Sequence, residues 1–139
     1  MKNYLSIFSN AAKLRAIGNT YIVDSLEKAG LKGIVPSHGD VLMLLFEKGA
    51  CNMSELARGV KRTKSTMTVL VDKLEKEGYV SKSADPSDSR GVLVELTEKG
   101  RALEPVFHNI SKGLNELVAK KLTREEIVFL DQVLQKCVN

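Results

Sequence analysis

Residues 52–80 read NMSELARGVKRTKSTMTVLVDKLEKEGYV, and this stretch decides the fold. Asn52 is a favourable N-cap, and Glu55 stands at the third position after it, where its side chain completes a capping box. Gly59 is expected to end this short helix, and Thr63 is expected to cap the next one. Because only about three residues separate the two helices, the sequence predicts a helix–turn–helix with a tight turn.

A β-hairpin is predicted directly after the second helix. Beyond Gly78, the runs at 79–82 and 92–96 are rich in β-forming side chains. The segment between them, residues 84–91, reads ADPSDSRG and is dense in turn formers. We therefore expect a hairpin with a long polar tip, which together with the preceding helices makes a winged helix.

Further helices are predicted on both sides of this core. Apolar residues recur at three- and four-residue steps over residues 5–29, where Gly18 would allow close approach of another helix. Ser37 is expected to cap an almost wholly apolar helix that ends at Gly49. A long helix is expected from Thr97 to about Lys120, and a last one after the capping box at 123–126. The predicted fold class is mainly α with a small β-hairpin wing.

Composition restricts the function. The chain has 139 residues, of which 43% are apolar, and this length predicts one domain and excludes a TIM barrel. Its 21 Lys and Arg residues against 17 Asp and Glu residues leave a charge of +4, which is compatible with a polyanionic partner. The densest basic cluster is Arg58, Lys61, Arg62 and Lys64, with no acid between them. Such a run is more often a solvated face than a binding site.

Several classes of protein are not supported by the sequence. The two cysteines, Cys51 and Cys137, form no CxxC pair, which fits a reducing cytoplasm better than secretion. His38 and His108 lack the spacing of metal ligands, so neither a metal nor another cofactor is expected. No signal peptide, membrane span or recognised catalytic motif is found, and the chain is predicted not to be an enzyme.

A winged helix suits double-stranded DNA, because its second helix fits the major groove. We expect Thr68 and Val69 to face base edges and Lys73 to reach a phosphate. Arg90 should enter the minor groove, with Asp88 holding its guanidinium in place. The predicted DNA-binding residues are Arg58, Lys61, Arg62, Thr63, Lys64, Ser65, Thr66, Thr68, Val69, Lys73, Asp88 and Arg90. A winged helix that binds protein is the alternative, and a steep loss of affinity with salt would distinguish DNA binding from it.

Residues 53–101 also resemble the winged-helix core of the MarR (multiple-antibiotic-resistance regulator) family of transcription regulators. The segment DPSDSRGVLVELTEKG, residues 85–100, is the more specific part, since Asp-x-Arg followed by Leu-Thr-x-x-Gly is characteristic of that family. The resemblance implies a sequence-specific regulator of transcription, commonly a repressor. Two positions depart from the family pattern: Lys82 stands where Arg is frequent, and Val69 stands where a polar or basic side chain is frequent.

The resemblance implies a homodimer that is held together by its first and last helices. The sequence agrees, because the apolar stripes on these helices exceed what one short chain is able to cover. We expect a single domain over 1–139, in which 36–101 form the DNA-binding core and 1–35 and 102–139 supply dimerisation helices. A two-fold dimer would match a pseudo-palindromic operator.

In the family, DNA is often released when a small anionic or phenolic effector binds, or when a cysteine is oxidised. Arg15, Tyr21 and His38 are expected to line such an effector pocket, between the dimer helices and the core. Cys51 is the candidate sensor thiol, although a small buried filler is the simpler interpretation. His38, at a helix start, could equally be a capping residue.

Overall fold

The computed structural model describes residues 5–31 and 33–139, with the backbone alone for Leu5. Residues 1–4 and Lys32, which belong to the predicted first dimerisation segment, lie outside the described residues. The elements are α1 (Leu5–Lys28), α2 (Pro36–Lys48), β1 (Ala50–Asn52), α3 (Met53–Val60), α4 (Lys64–Lys76), β2 (Val80–Asp85), β3 (Asp88–Leu96), α5 (Glu98–Arg101), α6 (Glu104–Ala119) and α7 (Arg124–Val138). The predicted class, mainly helical with a small antiparallel wing, is confirmed.

The hydrophobic core lies between α2, α3 and α4. Leu42, Leu45, Leu56, Met67 and Leu74 are fully buried there. The long apolar run of α2 is explained by this position, because a helix that is covered on several sides has few positions left for polar residues. The core therefore holds α4 against the rest of the domain and leaves its other face exposed.

The wing is part of a three-stranded antiparallel sheet with the order β1-β3-β2. Cys51 in β1 pairs with Val94, which also pairs with Lys82 in β2. The long polar tip predicted from the sequence is wrong, since β2 and β3 continue to a turn at Pro86 and Ser87. Polar residues extend along these strands because both faces of the wing's outer part are exposed, so polarity does not mark a loop here.

Two helix boundaries differ from the prediction. The helix expected from Thr97 to Lys120 is interrupted at Ala102 and Leu103 and continues as α6. Pro105 accounts for the interruption, because it has no N–H to donate to the carbonyl four residues earlier. The Thr97 cap itself is confirmed, since its Oγ1 accepts a hydrogen bond from the Gly100 N–H at 3.1 Å.

Gly59 does not end α3. The helix continues to Val60, and Lys61 adopts the left-handed conformation that terminates it, with φ 57° and ψ 51°. Gly59 serves packing instead, because an added Cβ would lie 2.6 Å from Cδ2 of Leu44 in α2. The start of α2 also differs: Pro36 is its first residue, so Ser37 lies inside the helix and does not cap it.

The outer helices pack against one another with less burial. Gly18 of α1 faces Leu114 of α6, where an added Cβ would lie 3.3 Å from Leu114 Cδ1, so the predicted close approach at Gly18 is confirmed. Helix α7 has no buried residue. Large apolar side chains on α1 and α7 are exposed, including Phe8 at 79% and Phe129 at 68%.

Candidate nucleic-acid interface

The N-terminus of α4 is an exposed, hydroxyl-rich turn. Thr63 Oγ1 caps the helix by accepting a hydrogen bond from the Thr66 N–H at 3.2 Å. The same hydroxyl lies 3.2 Å from Ser65 Oγ and donates to Thr66 Oγ1 at 3.0 Å. All three side chains are exposed. Hydroxyls and free N–H groups at a helix N-terminus are suited to phosphate oxygens.

Further along the exposed face of α4, Val69 is 68% accessible. Thr68 is also exposed, and its Oγ1 donates to the Lys64 carbonyl at 2.9 Å. The hydroxyl proton of Thr68 is therefore already engaged, which leaves the methyl group as the part suited to an apolar contact. The face thus offers two small apolar groups, the kind of surface that contacts a thymine methyl.

The basic turn before α4 concentrates positive charge. Within residues 5–31 and 33–139, Arg58, Lys61, Arg62 and Lys64 form no salt bridge. Arg62 Nη1 donates to the Lys61 carbonyl at 3.4 Å, which draws its guanidinium back along the turn. Lys61 Nζ donates to the Val138 carbonyl at 3.2 Å, so the end of α7 contacts this turn. The turn remains a concentrated positive charge beside the first turn of α4.

Lys73 does not join this positive surface. Its Nζ forms an ion pair with Glu77 at 3.2 Å. It also lies against the loop before α2, since a Cβ added to Gly33 would be 3.3 Å from Lys73 Nζ. The ammonium is partly buried and already paired, so the predicted phosphate contact of Lys73 does not fit its position.

Arg90 is exposed on β3 near the wing turn. Asp88 does not hold its guanidinium as predicted, because Asp88 Oδ1 accepts from the Arg90 backbone N–H at 3.0 Å instead. A carboxylate two residues earlier reaches a backbone N–H more easily than the end of a long side chain. Asp88 therefore shapes the backbone from which the Arg90 side chain extends into solvent.

An ion-pair cluster that the sequence did not reveal joins the wing to α4. Lys82 Nζ on β2 lies 2.6 Å from Asp72 Oδ1 and 3.3 Å from Glu75 Oε1. The hydrogen bond to Asp72, followed by that to Glu75, raises the pKa of Lys82. The sequence shows the lysine and the two acids, but their proximity depends on the register of β2 against the helix.

The three predicted effector residues do not form one pocket. Arg15 lines an apolar groove of about 640 Å³ between α1, α6 and α7. Tyr21 lies outside this groove, with its hydroxyl packed where a Cβ on Gly113 would be. His38 is buried, and its Nδ1 accepts from the N–H of Val35, the N-cap residue, at 3.0 Å, so His38 completes the cap of α2. Burial, followed by the charge of Lys73, lowers the pKa of His38.

Arg15 does have an electrostatic link to the basic turn. Asp40 lies on the exposed side of α2. Partial desolvation raises the pKa of its carboxyl, while the positive charges of Arg62 and Arg15 act in the opposite direction. Asp40 therefore interacts electrostatically with Arg15 of the outer helix α1 and with Arg62 of the turn. The junction between the outer helices and the helix–turn–helix is polar at this point.

Cys51 has the environment of a packing residue. It is fully buried in β1, and burial, followed by the charge of Glu55, raises the pKa of its thiol. Reactive cysteines need the opposite shift, because the thiolate is the reactive form. Cys137 is exposed near the end of α7.

Among the described residues, no group of three or more His, Cys, Asp and Glu side chains is arranged to hold a metal ion. In the same part of the chain, no helix has the length and apolar character needed to cross a membrane.

Comparison with known proteins identifies relatives of this fold. The model of the MarR family matches residues 34–92. The chain is 28% identical over 126 residues to the uncharacterised HTH-type transcriptional regulator YcgE of Bacillus subtilis, in an alignment that covers 90% of this chain and 81% of that protein. It is 33% identical over 99 residues to the HTH-type transcriptional regulator SarZ of Staphylococcus epidermidis, covering 70% of this chain and 65% of SarZ.

Among solved structures, a cysteine-to-serine mutant of Escherichia coli MarR in complex with operator DNA superposes on the chain with a TM-score of 0.87. The alignment covers 96% of this chain and 94% of the other at 23% sequence identity. The shared fold includes the outer helices as well as the winged core.

Proposed function

The chain belongs to the MarR family of winged-helix transcription regulators, and from this premise we propose that it binds a pseudo-palindromic operator in double-stranded DNA as a homodimer and represses transcription. The observation that carries the proposal is the basic turn beside the exposed first turn of α4, whose cations form no salt bridge with any described residue. Cations next to a helix that projects from a domain match the phosphates on either side of a major groove.

Most of the predicted DNA-binding residues have a role in this proposal. Lys61, Arg62 and Lys64 contact phosphates, and Arg58 adds to the positive field at the end of α3. Ser65 and Thr66 donate to phosphate oxygens at the helix N-terminus, and Thr63, whose hydroxyl proton is engaged by Thr66 Oγ1, holds this turn in place. Thr68 and Val69 face base edges in the major groove, and Arg90 enters the adjacent minor groove. Lys73 and Asp88 are assigned no direct contact with DNA.

The homodimer is supported by the apolar surface of the outer helices. Ile7, Leu14 and Ile17 on α1 line the groove with Leu134 on α7, and these side chains are between 43% and 61% exposed. Water contact with this much contiguous apolar surface is unfavourable, and a second copy would remove it. Two copies related by a two-fold axis would also present two α4 helices to successive major grooves.

The experiment that tests DNA binding starts from genomic fragments. Fragments retained by the purified protein are sequenced, and a recovered duplex is compared with a shuffled duplex of equal composition by fluorescence anisotropy. We expect tighter binding to the recovered duplex and a steep fall in affinity with salt, because phosphate contacts release counterions. Equal and weak binding to both duplexes, with little dependence on salt, would instead support a winged helix that binds protein.

We also propose that a small-molecule effector releases the DNA, and of the three predicted pocket residues only Arg15 supports this. Arg15 lines an apolar groove, and its guanidinium is suited to a small aromatic carboxylate, since one charged group orients a ligand whose remainder is apolar. Because the groove lies at the proposed dimer interface, such a ligand would change the spacing of the two α4 helices. Benzoate is a suitable probe: it should weaken operator binding by the unmodified protein and leave binding by Arg15→Ala unchanged.

A further inference from the structure

Asp85 is a buried acid in an exposed part of the wing. It is the last residue of β2 and only 7% of its surface is accessible, whereas Pro86 to Arg90 are all exposed. Acids are seldom buried unless their oxygens are bonded to donors. The burial of Asp85 therefore needs an explanation from its contacts.

Both oxygens of Asp85 have partners. Oδ1 accepts hydrogen bonds from the Ser87 N–H at 3.0 Å and from Ser87 Oγ at 2.8 Å. Oδ2 accepts from Asn52 Nδ2 at 3.5 Å. The first two bonds fold the wing turn around the carboxylate, and the third reaches a residue 33 positions earlier in the chain. Asp85 thus joins the turn to a separate element.

The other end of Asn52 belongs to the helix–turn–helix. Its Oδ1 accepts from the Glu55 N–H at 2.8 Å, and its own N–H donates to Glu55 Oε1 at 3.1 Å. Asn52 is therefore the N-cap of α3, and the same side chain holds Asp85. One amide group connects the wing turn with the first helix of the helix–turn–helix.

Asp85 is also packed against the strand that bears Arg90. A Cβ added to Gly91 would lie 3.1 Å from Asp85 Cβ and 3.2 Å from its Oδ2, so the absence of a side chain at Gly91 leaves room for the carboxylate. The pairing of β2 with β3 is irregular at Ala84 and Asp85. Asp85 thus packs directly against the residue that follows Arg90.

We propose that Asp85 is a positioning residue for DNA recognition: by tying the wing turn to the N-cap of α3, it holds Arg90 at a fixed place relative to α4. This inference rests on the proposed function, because it assigns Arg90 a contact with DNA. Asp85 itself does not touch DNA. Its effect on affinity is exerted through the Arg90 side chain.

A double-mutant cycle tests this dependence. Affinity for the recovered duplex is measured for Asp85→Ala, Arg90→Ala and the double variant in the full chain. We expect each single variant to lose roughly tenfold in affinity, and the double variant to lose no more than Arg90→Ala does. Ser83→Ala is the matched control, since Ser83 is exposed on the same strand, and its affinity should be unchanged.

Two conservative variants separate positioning from folding. Asp85→Asn keeps an oxygen that accepts from Ser87 but turns an amide NH2 towards Asn52 Nδ2, which is also a donor. It should therefore preserve the wing turn and still lose affinity, by less than Asp85→Ala does. Asn52→Ser keeps a cap for α3 but loses the amide that reaches Asp85, and its smaller loss of affinity should also disappear in the Arg90→Ala background. Thermal unfolding of every variant reports whether the domain remains folded.

The outcomes distinguish this inference from the proposed function. Equal losses for Asp85→Ala with and without Arg90 would overturn the positioning role alone, as would unchanged affinity of Asp85→Ala. Failure of the unmodified protein to bind any duplex would overturn the proposed function and the positioning role with it.

Discussion

The winged core and the outer helices differ in how completely one chain buries their apolar residues. In the core, side chains such as Leu42, Leu56 and Met67 are fully buried within one chain. In α7 no residue is buried, although the helix carries an apolar stripe and a complete capping box at its start. Helix caps and apolar periodicity are thus present in both regions, and the regions differ in how much of the apolar surface is buried by tertiary packing. The core is complete in one chain, whereas the burial of the outer helices would be completed by the proposed dimer.

The largest expected effect comes from the core. Leu42→Ala should lower the free energy of unfolding by about 2–5 kcal/mol, because it removes fully buried methyl groups and leaves a cavity. Chemical denaturation followed by circular dichroism measures this. DNA binding should be lost only under conditions where the variant unfolds. A loss below about 1 kcal/mol would show that α2 is packed less tightly than its complete burial indicates.

The next largest effect is expected from a substitution in the proposed dimer interface, which leaves the core unchanged. Leu14→Glu places a charge in the apolar groove, which should dissociate the dimer and weaken operator binding roughly a hundredfold, since each half then binds alone. Light scattering gives the mass, and anisotropy gives the affinity. Unfolding of the core should remain cooperative.

Ser9→Glu is the control for this variant. Ser9 is exposed on α1 and is absent from the residues that line the groove. The added charge is the same, so the dimer and its affinity should be kept. A Leu14→Glu protein that remains dimeric would contradict the proposed location of the interface.

Sequence reasoning succeeds where the structure depends on local signals. Asn52, Thr63 and Thr123 cap helices as expected, because a cap is a contact between residues three positions apart. It fails at Gly59, where the need for glycine comes from Leu44 on another helix and not from a turn. It also fails at Pro105, where apolar periodicity predicts one continuous helix although the proline itself is a local signal for an interruption.

The candidate site shows the same division. Exposure of Ser65, Thr66 and Val69 follows from helical periodicity, so their common face was predictable. The ion pair of Lys73 with Glu77 is likewise local, because the two residues are four positions apart. The packing of Lys73 against the loop at Gly33 was not predictable, since it depends on how α4 lies in the fold. The pairing of Asp85 with Asn52 joins residues from separate elements and has no periodic signature.

A smaller effect is expected from a substitution in the proposed DNA-binding surface of the core. Lys64→Ala removes one exposed cation at the start of α4, which should weaken binding to recovered and shuffled duplexes alike, by a few-fold. The slope of affinity against salt should fall by about one unit. Lys61→Ala should have less effect, because Lys61 must first give up its hydrogen bond to Val138. A loss confined to the recovered duplex would assign Lys64 to base recognition instead.

The smallest expected effect is at the joint between wing and α4. Lys82→Ala removes the ion pairs to Asp72 and Glu75, which should change stability by less than about 1 kcal/mol, since the pairs are partly exposed. Affinity should fall roughly two- to threefold because the wing is held less firmly, and Lys82→Arg should restore it. Pairing raises the pKa of Lys82, so its contribution is complete below the pKa of an unpaired lysine and is lost only as the pH rises through the raised value. The difference in stability between Lys82→Ala and the unmodified protein should therefore be constant between about pH 6 and 8. Lys76→Ala is the control, because Lys76 is an exposed lysine of the same helix as Asp72 and Glu75. Its stability should equal that of the unmodified protein.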